Sequence, residues 1–405
     1  MKILKNVRNL SKVLKKLDTP FYLYDGEKIA RNIDTLTKVF SNCRVELFFA
    51  VKANTALGIL KIIKEKGVGA EVVSPGELFI SLKAGFKPSK ILYNNIARKK
   101  DEVIYSIKRG VVFYNFEALD QALLLEECAK KLRRKIKIFV RINPGIFSNT
   151  HPHLATGSPM SKFGIPMNEL KNVVNLVRRY RFVELVGIHS HIGSQILTPV
   201  PFVMALKKVE EAIQFFNNNG IKIGYINLGG GFGIPYHPDE RELNFVPIAR
   251  AYENISKRYQ LKTFLEPGRF IVGNAGYIAT TIISVKKRKG TNLYIIDAGM
   301  TENPRPALYG AYHHIESLFK KNGKQRETRI AGPLCENTDE FGIYKLSPLN
   351  IRDMLIIYNC GAYTRTMASN YNGRLLPPEI IVDRHGLAII RVKQQLKGLI
   401  QNEKY

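Results

Sequence analysis

Residues 45–95 read VELFFAVKANTALGILKIIKEKGVGAEVVSPGELFISLKAGFKPSKILYNN, and this stretch decides the fold. Three short runs rich in β-branched and aromatic residues, Val45–Val51, Ala70–Ser74 and Lys90–Asn94, are separated by amphipathic segments of helix length. Such runs read as strands and the longer segments as helices. Toward the C-terminus the alternation continues through Val111–Asn115, Lys135–Ile142, Val183–Ser190, Lys222–Leu228 and Lys262–Leu265, which makes eight strand candidates before Gly268. Helix candidates between them include Phe202–Asn218 and Ala118–Leu132, whose Leu119, Ala122, Leu123 and Cys128 fall on roughly one face. Strands that alternate with helices pair in parallel through crossovers, so eight such units predict a (β/α)8 TIM barrel, placed at residues 27–270.

Beyond Gly268 the pattern turns β-rich, with Tyr277–Lys286, Thr291–Asp297, Met354–Tyr358, Ile380–Val382 and Leu387–Val392 as strands. Pro20–Asp25 also reads as a strand but precedes the first barrel helix. Residues 1–26 and 271–405 are therefore expected to form a second, all-β domain that takes up the N-terminal strand.

The chain has 405 residues, of which 45% are hydrophobic and 24% charged, as in a globular protein with a sizeable core. No apolar run approaches the ~18–20 residues that a membrane span needs. Lys and Arg number 62 against 34 Asp and Glu, a formal charge of +28. The basic residues are scattered in short groups, such as Lys15-Lys16, Arg98–Lys100, Arg133–Lys135 and Lys286–Lys289. Dispersed charge reads as a solvated surface rather than a nucleic-acid site and leaves room for an acidic partner. Four cysteines, Cys43, Cys128, Cys335 and Cys360, form no CxxC pair, which suggests a reducing, cytoplasmic setting. Met1–Leu17 carries six basic residues and no acid, with Leu4, Val7, Leu10, Leu14 and Leu17 at helical spacing. An ordinary first helix is expected there, against the alternatives of a transit peptide or surface-binding helix.

In a TIM barrel the chemistry sits where strands end at the C-terminal face. The first barrel strand ends in Phe49-Ala50-Val51-Lys52-Ala53-Asn54, with a lysine at the close of an apolar run. Apolar surroundings favour the neutral amine, which is able to attack a carbonyl, whereas the bland alternative is a snorkelling surface lysine. The sixth strand ends in His189-Ser190-His191-Ile192-Gly193-Ser194-Gln195. Its two histidines share a face, and a metal pair, a ring-stacking imidazole and a structural role compete there. His151 and His153 repeat the spacing, so a metal-dependent barrel hydrolase stands as a rival reading. The seventh strand runs into Gly229-Gly230-Gly231-Phe232-Gly233 and the eighth into Glu266-Pro267-Gly268-Arg269, the two loops that commonly hold a phosphate in this architecture. Glu266 then either pairs with Arg269 or keeps a heterocyclic nitrogen protonated. An amine nucleophile, a phosphate cradle, a stacking imidazole and a carboxylate for a ring nitrogen together specify pyridoxal 5'-phosphate (PLP).

With these parts in order, the sequence resembles the barrel-fold PLP-dependent decarboxylases, which share their architecture with alanine racemase, and among them the diaminopimelate decarboxylases. Further matching segments are Asp297–Met300, Arg305-Pro306-Ala307-Leu308-Tyr309, Gly332-Pro333-Leu334-Cys335-Glu336, Gly361-Ala362-Tyr363 and Met367–Asn372. The resemblance implies that Lys52 joins the cofactor, His191 stacks on its ring and Glu266 pairs with the ring nitrogen. It implies that Ser194, Gly230, Gly231, Gly268, Arg269 and Tyr363 surround the phosphate. Arg269, Arg305, Tyr309, Glu336 and Tyr363 are the implied substrate ligands, and Cys335 the proton donor, delivered from the second subunit of a homodimer with shared active sites. A buried, inert thiol is the alternative for Cys335. The implied reaction converts meso-diaminopimelate to L-lysine and carbon dioxide. This chain has Gly145 where relatives commonly carry an acidic residue after Asn143-Pro144, and its basic surface suits an acidic carrier protein bearing the amino acid, a second substrate class. A non-catalytic relative that binds a partner is a third reading, opposed by Lys52, Glu266 and Cys335.

Overall fold

A computed structural model describes residues 17–146, 161–288, 291–319 and 322–404. The helix expected over Met1–Leu17 and the His151/His153 pair lie outside these residues, Leu17 excepted. The chain divides into two compact units, one of Ala30–Ile234 with Arg241–Ile271, the other of Met1–Ile29, Pro235–Glu240 and Val272–Tyr405.

The chain enters through β1 (Phe21–Asp25), a strand of the second unit, and then builds the barrel. Its strands are β2 (Val45–Ala50), β3 (Gly69–Val72), β4 (Ile91–Tyr93), β5 (Phe113–Phe116), β6 (Ile136–Asn143), β8 (Val183–His189), β9 (Tyr225–Asn227) and β10 (Lys262–Leu265), with the two-residue β7 (Ile165–Pro166) beside β6. All pair in parallel, β5 with β6 and β10 with β2, so the sheet closes on itself as a TIM barrel. The eight strands read from the sequence are all present, several trimmed at their ends. The helix Leu119–Leu132 differs from its expected face: Ala122, Leu125, Cys128 and Ala129 are buried, while Leu123 is 52% exposed. The buried positions recur at three- and four-residue steps, and Leu123 lies one helical step off that stripe.

Inside the barrel, Phe48, Leu92, Phe139, Val186 and Phe264 form one buried cluster with Phe113 and Tyr225 against it. The Phe48 and Phe264 rings lie 4.6 Å apart, and Phe139 and Phe264 5.5 Å. Closely packed rings plug the barrel from below, leaving its C-terminal end for chemistry.

The second unit is a nine-stranded sheet made by β1, β11 (Gly276–Arg288), β12 (Thr291–Ile296), β13 (Ile315–Ser317), β14 (Arg326–Ala331), β15 (Glu340–Leu346), β16 (Met354–Ile357), β17 (Glu379–Asp383) and β18 (Gly386–Arg391). The N-terminal strand does join it: β1 lies between β11, antiparallel, and β17, parallel. Phe21, Tyr22, Leu23 and Tyr24 are all fully buried, and the two tyrosine hydroxyls donate to the Glu302 carbonyl and Glu379 Oε2, each at 2.8 Å. A strand covered on both faces has no polar alternation, which is why FYLYD reads as a continuous apolar run.

Candidate active site

The barrel strands carry the aromatic plug and the polar site on the same inward faces, two residues apart. Beyond Phe113, Phe139, Tyr225 and Phe264 come Asn115, Arg141, Asn227 and Glu266, and all four are buried. Because alternate residues of a strand share a face, one step along the barrel axis exchanges rings for hydrogen-bonding groups.

Lys52 lies just past the end of β2, in the helical turn Val51–Ala53. Its Nζ is 2.9 Å from Glu71 Oε2 and 3.1 Å from Oε1. Glu71, on β3, is fully buried and was not singled out in the sequence. A lone carboxylate inside the apolar strand GAEV was the available signal. Burial pushes the Glu71 carboxyl up, against the opposing charge of Lys52.

Glu266 does not pair with Arg269. Its Oε1 accepts from Asn227 Nδ2 at 2.7 Å, and its Oε2 stands 3.6 Å from His189 Nε2, an ion-pair distance rather than a hydrogen bond. Burial alone would raise the Glu266 carboxyl, but His189, Lys52 and the Asn227 amide outweigh it and hold the group below its ordinary value. Burial also lowers His189. A neutral imidazole lends little charge near pH 7, so there Lys52 and Asn227 keep the carboxylate ionised. His191 is pushed down to about 3 by burial and by the charges of Arg141 and Lys52. Its Nδ1 accepts from the Gly230 N–H at 3.3 Å, so His191 is a neutral ring on the glycine loop. Arg141 is itself held by Glu117, with Nη1 2.9 Å from Oε2, both side chains buried.

The glycine run fits an anion cradle. A Cβ on Gly230 would lie 2.2 Å from the Glu266 carbonyl oxygen, and one on Gly231, whose φ is +89°, 2.5 Å from the Gly193 carbonyl. Arg269 Nη2 donates to Ser194 Oγ at 3.0 Å, bringing a cation and a hydroxyl together. Gln195, at φ 63°, ties the two loops: its Nε2 donates to the Ile234 carbonyl at 2.6 Å and its Oε1 accepts from the Ile234 N–H at 3.3 Å. Lys52, Glu266, His191, Ser194, the glycine loop and Arg269 thus gather at one end of the barrel. An amine, a buried carboxylate, a flat imidazole and a glycine loop beside a serine and an arginine are the groups that PLP needs, so the residues fit PLP.

The remaining candidates belong to the sheet unit. Arg305 and Tyr309 begin and end the helical segment Arg305–Tyr309, and the Arg305 side chain is buried. Cys335 is exposed on the turn between β14 and β15, beside Glu336, whose Oε1 accepts from Tyr371 OH at 2.5 Å. Buried Asp339 fixes that turn, accepting from the Leu334 N–H at 2.8 Å and the Met300 N–H at 2.6 Å. Its place was not legible in the sequence. Tyr363 holds a left-handed backbone, φ 56°.

Residues 26–273 match the family described as "Pyridoxal-dependent decarboxylase, pyridoxal binding domain". The chain is 36% identical to the diaminopimelate decarboxylase of Methanothermobacter thermautotrophicus, over 95% of this chain and 91% of that one. It is 34% identical to that of Methanocaldococcus jannaschii, over 96% and 92% respectively. A crystal structure of diaminopimelate decarboxylase from Helicobacter pylori complexed with L-lysine superposes with a TM-score of 0.93 at 32% identity, covering 97% of this chain and 98% of that one. On these similarities and the PLP-shaped end of its barrel, the chain belongs to the diaminopimelate decarboxylase family of PLP-dependent decarboxylases.

Proposed function

We propose that this protein removes carbon dioxide from the D-configured centre of meso-diaminopimelate to give L-lysine. The observation that carries the reading is the grouping of Lys52, Glu266 and His191 with the glycine cradle in a chain similar over 95% or more of its length to diaminopimelate decarboxylases. When bound, PLP supplies an electron sink for the carbanion left at the substrate carbon. Lys52 Nζ would hold the cofactor, and Glu71 positions that amine through its two carboxylate contacts. Glu266 keeps a proton on the ring nitrogen, and Asn227 fixes the carboxylate that does so. His191 presents a neutral face to the ring. Ser194, Gly230, Gly231, Gly268, Arg269 and Tyr363 hold the phosphate.

Arg269, Arg305, Tyr309, Glu336 and Tyr363 bind the substrate, with the Arg305 fork suited to the distal carboxylate. Cys335 Sγ donates the proton that replaces the lost carboxylate. Its exposure fits delivery to another copy of the chain, which makes the working unit in this reading a homodimer with shared sites. Four cysteines without a CxxC pair fit a cytoplasmic setting. No helix among the described residues is long and apolar enough to cross a membrane. The test is direct: PLP-loaded protein incubated with meso-diaminopimelate releases equal amounts of carbon dioxide and L-lysine. Retained cofactor with no lysine would move the substrate to another, or a carrier-bound, amino acid.

A further inference from the structure

Arg305 rests on a buried histidine that no part of the reading above uses. Its Nη1 lies 3.0 Å from His313 Nε2, and its guanidinium carbon sits 4.6 Å from the centroid of the Tyr236 ring. The His313 ring meets the same tyrosine edge-on, centroids 5.2 Å apart. On its other side, His313 Nδ1 is 2.8 Å from the Tyr358 carbonyl oxygen, and the Cys360 thiol is 3.6 Å from the same nitrogen. His313 and Cys360 are fully buried, Arg305 is 4% exposed, and all these residues belong to the sheet unit.

The hydrogen-bond inventory fixes the tautomer. A carbonyl only accepts, so His313 Nδ1 carries the hydrogen; a guanidinium only donates, so Nε2 offers its lone pair to Arg305. A doubly protonated His313 would point an N–H at the arginine and place two cations in contact, so this geometry requires the neutral ring. Nothing in the loss of carbon dioxide calls for this further buried imidazole. An arginine that must hold its planar fork in one orientation does call for a fixed acceptor behind it.

We propose that His313 is a positioning residue for substrate selection: anchored by the Tyr358 carbonyl, it fixes the Arg305 guanidinium that reads the carboxylate retained in the product. The inference rests on the assignment of Arg305 to that carboxylate, and the experiment separates the two. In the PLP-loaded enzyme, His313→Leu raises KM for meso-diaminopimelate about tenfold, the effect of losing one charge-assisted hydrogen bond, while kcat changes less than about threefold. L-Lysine, which keeps the carboxylate, inhibits about tenfold more weakly, whereas 1,5-diaminopentane, which lacks it, inhibits as it does the wild type. His313→Gln places an amide oxygen near the position of Nε2 and returns KM to within about threefold of wild type.

Arg305→Lys is the control. If it raises KM and weakens lysine inhibition while His313→Leu does neither, the positioning role is overturned and the Arg305 assignment stands. If Arg305→Lys changes neither quantity, the Arg305 assignment itself has failed. Should leucine at this buried position not give folded protein, His313→Asn and His313→Gln carry the comparison. Asparagine keeps only the donor toward Tyr358, so it must show the higher KM, and equal values in the two variants overturn the proposal.

Discussion

At the scale of single residues, the barrel site holds neighbouring ionisable groups in different states. Glu266 stays ionised through Lys52 and the Asn227 amide, while His191 is kept neutral by burial and by the cations Arg141 and Lys52. The histidine has a consequence for stability. Its folded pKa, about 3, lies below the 6.5 of an unfolded histidine. Between those values the unfolded chain binds the proton and the folded chain does not, so the folded state is favoured above pH 6.5 and loses that advantage as pH falls toward 3. His191→Phe keeps a flat ring and removes the titration. In cofactor-free protein, urea unfolding at pH 7 and pH 5 should show the wild type losing about 2 kcal/mol more than the variant over that interval. Equal losses would show that His191 titrates normally in the fold. At this scale the sequence disclosed the residues that end strands, because a lysine, a histidine or a glutamate at the edge of an apolar run has no packing reason to be there. Glu71, Asn227 and Asp339 were not disclosed: each acts by holding another group, and its partner is distant in sequence or fixed only by the fold.

At the scale of elements, the order of the barrel was legible because parallel strands buried on both faces make unbroken apolar runs, and the helices between them keep a 3.6-residue period. Three strands of the second unit, β13, β14 and β15, were not. In β14 the outward residues Arg326, Glu327 and Arg329 dilute the pattern, and β15 forms one end of the sheet path, with Ile343 59% exposed. Outer strands are marked by charge rather than by apolar continuity. The loops after β8 and β9 show how elements cooperate. The Ile196 N–H donates to the Gly231 carbonyl and the Gly233 N–H to the Ile196 carbonyl, each at 3.0 Å, and the Gln195 amide adds its two bonds to Ile234. Gln195 is thus the side-chain clasp that holds the glycine loop against the Ser194 loop. Gln195→Gly tolerates the left-handed backbone and removes only the clasp. PLP should bind it about tenfold more weakly, with thermal stability of the cofactor-free protein changed little; unchanged PLP affinity in a fluorescence titration would assign the clasp to stability alone.

At the scale of the whole molecule, the candidate residues divide between two units of one chain: Lys52, Glu266 and the cradle in the barrel, Arg305, Cys335, Glu336 and Tyr363 with the sheet. Cys335 stands exposed on a turn braced by buried Asp339, an arrangement that presents a thiol outward while fixing its backbone. If that thiol serves the Lys52 of a second copy, a two-fold dimer carries two composite sites, each with a lysine from one chain and a cysteine from the other. Lys52→Ala and Cys335→Ala then damage different halves of a site. The first should lose covalently held cofactor and all measurable turnover, and the second should keep the cofactor while slowing product formation at least about 100-fold. Mixed in equal amounts and allowed to exchange subunits, the two inactive variants form hybrids in half of the dimers. Each hybrid has one site with both residues intact and one with neither, so activity should return to about a quarter of wild type. A donor acting within its own chain gives a different result, because every site in a hybrid then lacks either Lys52 or Cys335 and mixing restores nothing. Recovery on mixing therefore reports which chain supplies the proton, independently of how much either residue contributes to the rate.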